Sequence, residues 1–198
     1  MNKIDPKYID ASISYDAYRE MIDKLLSQQK TTGTNHSEDM IHYTKMNVTR
    51  MKRLDKTTVI SESLQKAVAS VSTKMIWLVI TEAWCGDAAQ IVPVLNKIAE
   101  LNPNIEIRFI LRDEHLELMD QYLTNGGRSI PKVIAIDEST NKEIFNWGPR
   151  PAGTQELFLK LKAEHENYMD VAEGLHRWYA KDKTLEIQKE FTALLGDK

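Results

Sequence analysis

The chain of 198 residues holds a single cysteine, Cys85, and the residues beside it are the ones with the means to do chemistry. Before it runs Met75-Ile76-Trp77-Leu78-Val79-Ile80, an apolar block too short for a long helix and rich in β-branched and large side chains, which reads as a strand buried on both faces. Past Gly86 the period changes, and Ile91, Leu95, Ile98 and Ala99 recur at helical spacing. Cys85 is therefore expected at the mouth of a helix, where unpaired amide N–H groups and the positive end of the helix dipole favour a thiolate. Asp87 opposes this. A carboxylate in the first turn stabilises the helix by about 0.3–1 kcal/mol and disfavours a neighbouring thiolate by a comparable amount. The expected balance is a modestly lowered thiol pKa. A value at or above that of a free cysteine, about 8.5, would count against nucleophilic chemistry.

Three other positions are candidates for the same site. X-Pro bonds are the only ones for which cis is cheap, so Ile130-Pro131 is either a cis bond that leaves Ile130 backbone groups free to pair with an extended partner, or a trans proline opening an edge strand. Arg128 precedes it, and Arg150 lies in Trp147-Gly148-Pro149-Arg150-Pro151. Either arginine has the chemistry to favour a thiolate or bind a carboxylate, though as surface residues both would be unremarked. The five histidines, His36, His42, His115, His165 and His176, have no tight ligand spacing, so no metal site is expected within a monomer.

Trp84-Cys85-Gly86-Asp87-Ala88, with Pro93 eight residues past the cysteine, Ser129-Ile130-Pro131 and the later Gly148, resembles the thioredoxin superfamily over roughly residues 58 to 165. The family pattern is Trp-Cys-Gly-Pro-Cys, a proline that kinks the following helix, and an Ile-Pro whose bond is cis. The resemblance implies a cis bond before Pro131, a catalytic Cys85 within the motif Trp84, Gly86, Asp87 and Ala88, and a substrate groove at Ile130, Pro131, Arg128, Gly148 and Arg150. Two departures fall on one half-reaction. Ala88 stands where the family has its second cysteine, and Val79 where it has a buried aspartate. What remains suffices to form a mixed disulfide but not to resolve one internally.

Two principal functions follow as expectations. The first is a thiol-redox protein acting in cell redox homeostasis, in which Cys85 forms mixed disulfides with a protein or low-molecular-weight thiol and an external thiol resolves them. The alternative is a binding or adaptor module that keeps the groove without turnover. A metal-cluster carrier bridging two copies is a weaker third, and no cofactor is expected.

The rest of the chain must position these residues. At 42% hydrophobic and 28% charged it can bury a sizeable core, and a net charge of −3 gives no pull toward nucleic acid or membrane. With no apolar leader and no membrane-length run, the reading is cytoplasmic, as a monomer or homodimer. Tyr18, Met21, Ile22, Leu25 and Leu26 mark a helix starting near Ser14. Ser37 starts a second through Ile41, Thr44, Val48 and Met51, whose basic cluster Lys45, Arg50, Lys52, Arg53 and Lys56 reads as a solvated face. A third spans about 60–71. Strands are expected at 105–111, 131–136 and 143–147, with a helix through Leu116, Met119 and Leu123 between the first two. From Thr154 a stripe of Leu157, Leu161, Tyr168, Val171, Leu175 and Trp178 continues as one long helical face, and a last helix carries Leu185, Gln188, Phe191 and Leu195. The fold class is α/β, a thioredoxin-like mixed sheet flanked by helices. Residues 1–57 form an N-terminal helical extension packed on the core, 58–165 the thioredoxin-like domain, and 166–198 a C-terminal helical extension.

Overall fold

All seven residues of β1 (Met75–Thr81) are buried, which places this strand inside the sheet and explains its unbroken apolar run. The computed structural model describes residues 2–196. β1 pairs in parallel with β2 (Ile105–Leu111), Met75 opposite Ile105, and antiparallel with β3 (Lys132–Asp137), Val79 opposite Val133. β3 then pairs antiparallel with β4 (Glu143–Trp147), giving the order β2-β1-β3-β4. The sheet is mixed and flanked by helices, the class expected from the sequence.

Alternation along β1 and β3 sorts the core into two layers. Trp77, Val79, Val133 and Ala135 face one side with the central helix α5 (Gly86–Ala99), defined below. Ile76, Leu78, Ile80, Ile134 and Ile136 face the other with Ile4, Tyr8, Leu118 and Met119. The N-terminal residues cover the open edges. Ile13 exchanges two backbone hydrogen bonds with Phe109 of β2, and Lys3 bridges to Lys142 beside β4.

The N-terminal helices are α1 (Pro6–Asp10), α2 (Tyr15–Ser27), α3 (Glu38–Thr57) and α4 (Glu62–Ala69). Each starts on an oxygen-bearing cap, Asp5, Ser14, Ser37 and Ser61, whose side chain accepts a backbone N–H two or three residues on. α5 begins at Cys85 and runs through the buried Pro93; α3 lies against it. The helix expected through Leu123 is shorter. A 3-10 turn (Arg112–Glu114) and the single turn α6 (Leu116–Met119) use those residues, and a Thr124–Gly127 bridge closes the loop, leaving Leu123 exposed.

The long C-terminal stripe is broken. α7 (Ala152–Glu164) stops at His165, which is extended, and α8 (Tyr168–Asp182) restarts on Asn167, whose Oδ1 accepts the Met169 N–H. Two helices replace one because the cap satisfies the new helix start and lets α8 fold back over the mouth of α5. α9 (Leu185–Gly196) then packs on α4, burying Ile187, Phe191 and Leu195. Among the described residues, no helix is long and apolar enough to cross a membrane.

Candidate functional site

Cys85 has extended backbone angles and is the N-cap of α5, its sulfur in the place usually held by a serine or aspartate oxygen. Sγ accepts the Ala88 N–H at 3.4 Å and donates its proton to the Ile130 carbonyl at 3.3 Å. The second bond belongs to a neutral thiol. Burial pushes the Cys85 pKa up to about 12, Asp87 adds to the rise, and the Ala88 N–H and Arg150 only partly oppose it. This corrects the modest lowering expected from the sequence: the helix-mouth amides are present, but desolvation and a neighbouring carboxylate outweigh them. Cys85 as a whole residue is partly exposed.

Asp87 lies at the centre of a buried polar hub. Its Oδ2 pairs with Arg150 Nη2 at 2.7 Å, the two side chains 8% and 7% exposed, and its Oδ1 accepts from Tyr179 Oη at 2.8 Å. Burial still outweighs both partners and raises the Asp87 pKa. Arg150 also donates to Gln155 and stacks on Phe158 with its guanidinium carbon 4.0 Å from the ring centre. Its Nε–H has no acceptor.

The groove residues expected from the sequence converge here. The Ile130–Pro131 peptide is cis, as the resemblance implies, and so is Gly148–Pro149. Gly148 has φ +110, and a Cβ there would collide with the Pro131 carbonyl oxygen, so the two proline turns touch only because this residue is glycine. Gly86 is less constrained: a Cβ there would stand 3.0 Å from His176 Cε1, a side-chain atom, so the imidazole would have to shift by a few tenths of an ångström. Trp84 carries the Arg112 guanidinium 4.7 Å over its ring. Arg128 is the least engaged: its side chain is 45% exposed and held by both carboxylate oxygens of Asp120. Ala88 and Val79 are packed in the core, so neither site supplies the missing acid or thiol.

A second buried carboxylate stands before the cysteine. Glu82 is fully buried, its Oε1 accepting the Asp113 N–H at 2.9 Å while Oε2 has no partner, and burial raises its pKa to about 7. Around the same turn, Thr32 Oγ1 accepts the Ala83 N–H and Asn47 Nδ2 donates to the Ala83 carbonyl, each at 2.9 Å. Thus α3 and the loop before it hold the cysteine turn from outside the strand-helix unit.

A cavity of about 710 Å³ opens on Cys85 between α3, α7, α8 and the two proline loops. Its walls include Met40, Tyr43, Asn47 and Arg50 from α3 and Tyr168, Met169 and His176 from α8. Tyr43 Oη donates to Met169 Sδ at 2.7 Å and joins the two helices across it. Burial and Arg50 lower the His176 pKa to about 4, so it is neutral here. Sequence reasoning missed these residues. Arg50 was read as part of a solvated basic face, yet it is half-buried in the cavity wall and donates to Asn47 Oδ1 at 2.8 Å. The available signal was Tyr43, Asn47 and Arg50 at i, i+4 and i+7, a polar stripe beside the apolar one. Nothing local marked the α8 residues, which reach Cys85 through the chain reversal at Asn167.

Two solved structures share the fold. A protein of unknown function from Pseudomonas aeruginosa, PA1234, is 17% identical with a TM-score of 0.65, the match covering 100% of this chain and 99% of that one. An HIV epitope-scaffold carrying the 4E10 label is 17% identical with a TM-score of 0.55, covering 94% and 99%. No match was found among curated proteins. A family model described as thioredoxin matches residues 33–171, more than half of the sequence. With the strand order, the helix-capping cysteine and its facing proline turn, that match makes this chain a member of the thioredoxin family.

Proposed function

We propose that this protein is a thioredoxin-fold ligand-binding module in which Cys85 is a neutral contact thiol on the floor of the binding cavity. The observation that carries this reading is the Cys85 Sγ–H donated to the Ile130 carbonyl at a site where burial and Asp87 hold the proton on sulfur. Ala88 and Val79 point the same way, because dithiol turnover has neither a resolving thiol nor its proton acceptor. The second reading is mixed-disulfide formation with a protein or low-molecular-weight thiol. It is favoured by the partial exposure of the Cys85 residue and by the cavity that it lines. In that case a small thiolate population attacks one sulfur of a partner disulfide, forming the mixed disulfide and releasing the other sulfur as a thiolate, and the rate climbs with pH well beyond the range in which a free cysteine levels off.

Alkylation of Cys85 at neutral pH separates the two. A binding module should react at least about tenfold more slowly than free cysteine, since each unit of raised pKa removes tenfold of thiolate. Reaction as fast as free cysteine would replace this reading with disulfide exchange. The Cys85→Ser variant adds a second measurement: a module retains its ligand, and an exchange protein loses its adduct while remaining folded.

A further inference from the structure

The cavity over Cys85 is rich in arginine, and the ion pairs are unevenly distributed. Arg150 is paired with Asp87, Arg112 with Asp113 and Arg128 with Asp120. Arg50 has no carboxylate within 4.0 Å among the described residues; it donates instead to the neutral Asn47 amide oxygen. Of the other acids on the cavity wall, Glu173 is taken by Arg177 at 2.7 Å and Asp170 lies exposed on the rim. Arg53 adds like charge near Arg50, and burial and that charge together lower the Arg50 pKa, so its cation is under-compensated where it stands. The same cavity is walled by Arg150, 7% exposed, whose Nε–H has no acceptor. A buried guanidinium donor without an acceptor is costly, and a half-buried cation without an anion is unusual. An oxyanion in the cavity would give the Arg50 cation the counter-charge it lacks. Met40, Met46 and Phe158 supply an adaptable apolar wall in the same cavity, where methionine tolerates varied shapes.

We propose that this cavity takes a small amphipathic anion, a carboxylate or equivalent oxyanion head held by Arg50 and an apolar body lying against Met40, Met46 and Phe158 beside Cys85. The proposal rests on the ligand-binding reading above and narrows it to a ligand class. The head group uses the planar donor array that only arginine offers, and the neutral thiol is what a site built for an anion requires, because a thiolate there would repel it.

The test compares two probes with one ring skeleton, anilinonaphthalene sulfonate and the uncharged phenylnaphthylamine, by fluorescence titration and by their ability to slow alkylation of Cys85 at mildly alkaline pH. The sulfonate should bind the full chain at least about tenfold more tightly than the neutral probe and should protect Cys85. Arg50→Met should weaken the sulfonate by about tenfold and leave the neutral probe unchanged, and Arg50→Lys should retain part of the difference. Unchanged binding of the neutral probe also reports that the variant is folded. Equal affinity of the two probes, or equal weakening of both by Arg50→Met, overturns the anion class. If the neutral probe alone protects Cys85, the anion class fails and the ligand-binding reading stands. If neither protects, both fall.

Discussion

Two carboxylates flank Cys85, and the same burial gives them different fates. Asp87, inside the first turn of α5, is held between Arg150 and Tyr179. Glu82, at the end of β1, has one backbone N–H on Oε1 and nothing on Oε2. Both are raised by desolvation, Glu82 to about 7 with no cation paired to it. The comparison teaches that position beside a reactive atom does not set a role. A counter-charge turns one acid into a structural tie between the thioredoxin unit and α8, and its absence makes the other a group that titrates.

The largest test of this contrast is Arg150→Met. It leaves the Asp87 charge buried and unpaired, and unfolding by urea should show a loss of about 3–5 kcal/mol. Adding Asp87→Asn to that variant should recover much of it. If the single change costs less than about 1 kcal/mol, Asp87 is solvated and the hub is not what ties the helices together.

Glu82→Gln comes next. Because the folded pKa of Glu82 is raised above its unfolded value, the folded state binds more protons between about pH 4.5 and 7 and the wild-type protein loses stability as pH rises through that window, by up to about 3 kcal/mol. His176 has the opposite sign. Its folded pKa is depressed to about 4, so it contributes stability as pH rises from about 4 to 6.5. The glutamine variant should therefore gain stability relative to wild type as pH rises from about 4.5 to 7, while the His176 contribution is common to both proteins. A difference between the two proteins that does not vary with pH would place the Glu82 titration outside this range.

Tyr179→Phe removes one hydrogen bond to a buried carboxylate and should cost about 1.5–3 kcal/mol in urea unfolding. The smallest effect is expected from Asp87→Asn on the thiol. Losing the nearby charge should lower the Cys85 pKa by about one unit, read as roughly tenfold faster alkylation at neutral pH. An unchanged rate would leave burial as the sole cause of the raised thiol.

Much of the sheet was legible because its signals are local. The buried run Met75–Ile80, the change to helical period after Gly86, and serine or aspartate caps before four helices each depend on neighbours within a few residues. Where a distant partner decided, local reading failed. The helical stripe from Leu157 to Trp178 looked continuous because periodicity does not register that Asn167 can cap a new helix start. Arg50 looked solvated because a cation on a helix gives no sign of the element facing it. The sign of the Cys85 shift was beyond reach for the same reason, since helix-mouth amides are a local property and burial is not.

The sequence by itself therefore determined a mixed α/β sheet with a lone thiol capping its central helix, opposite a proline turn, and the loss of the second thiol and its acid. These are fixed by side-chain period, cap chemistry and residue identity. Only the tertiary structure decided that the thiol keeps its proton, that Asp87 is neutralised from Arg150 and Tyr179, and that α3 and α8 wall a cavity over the sulfur. Burial and charge compensation are sums over atoms brought together from more than a hundred residues of chain, and no window of the sequence contains them.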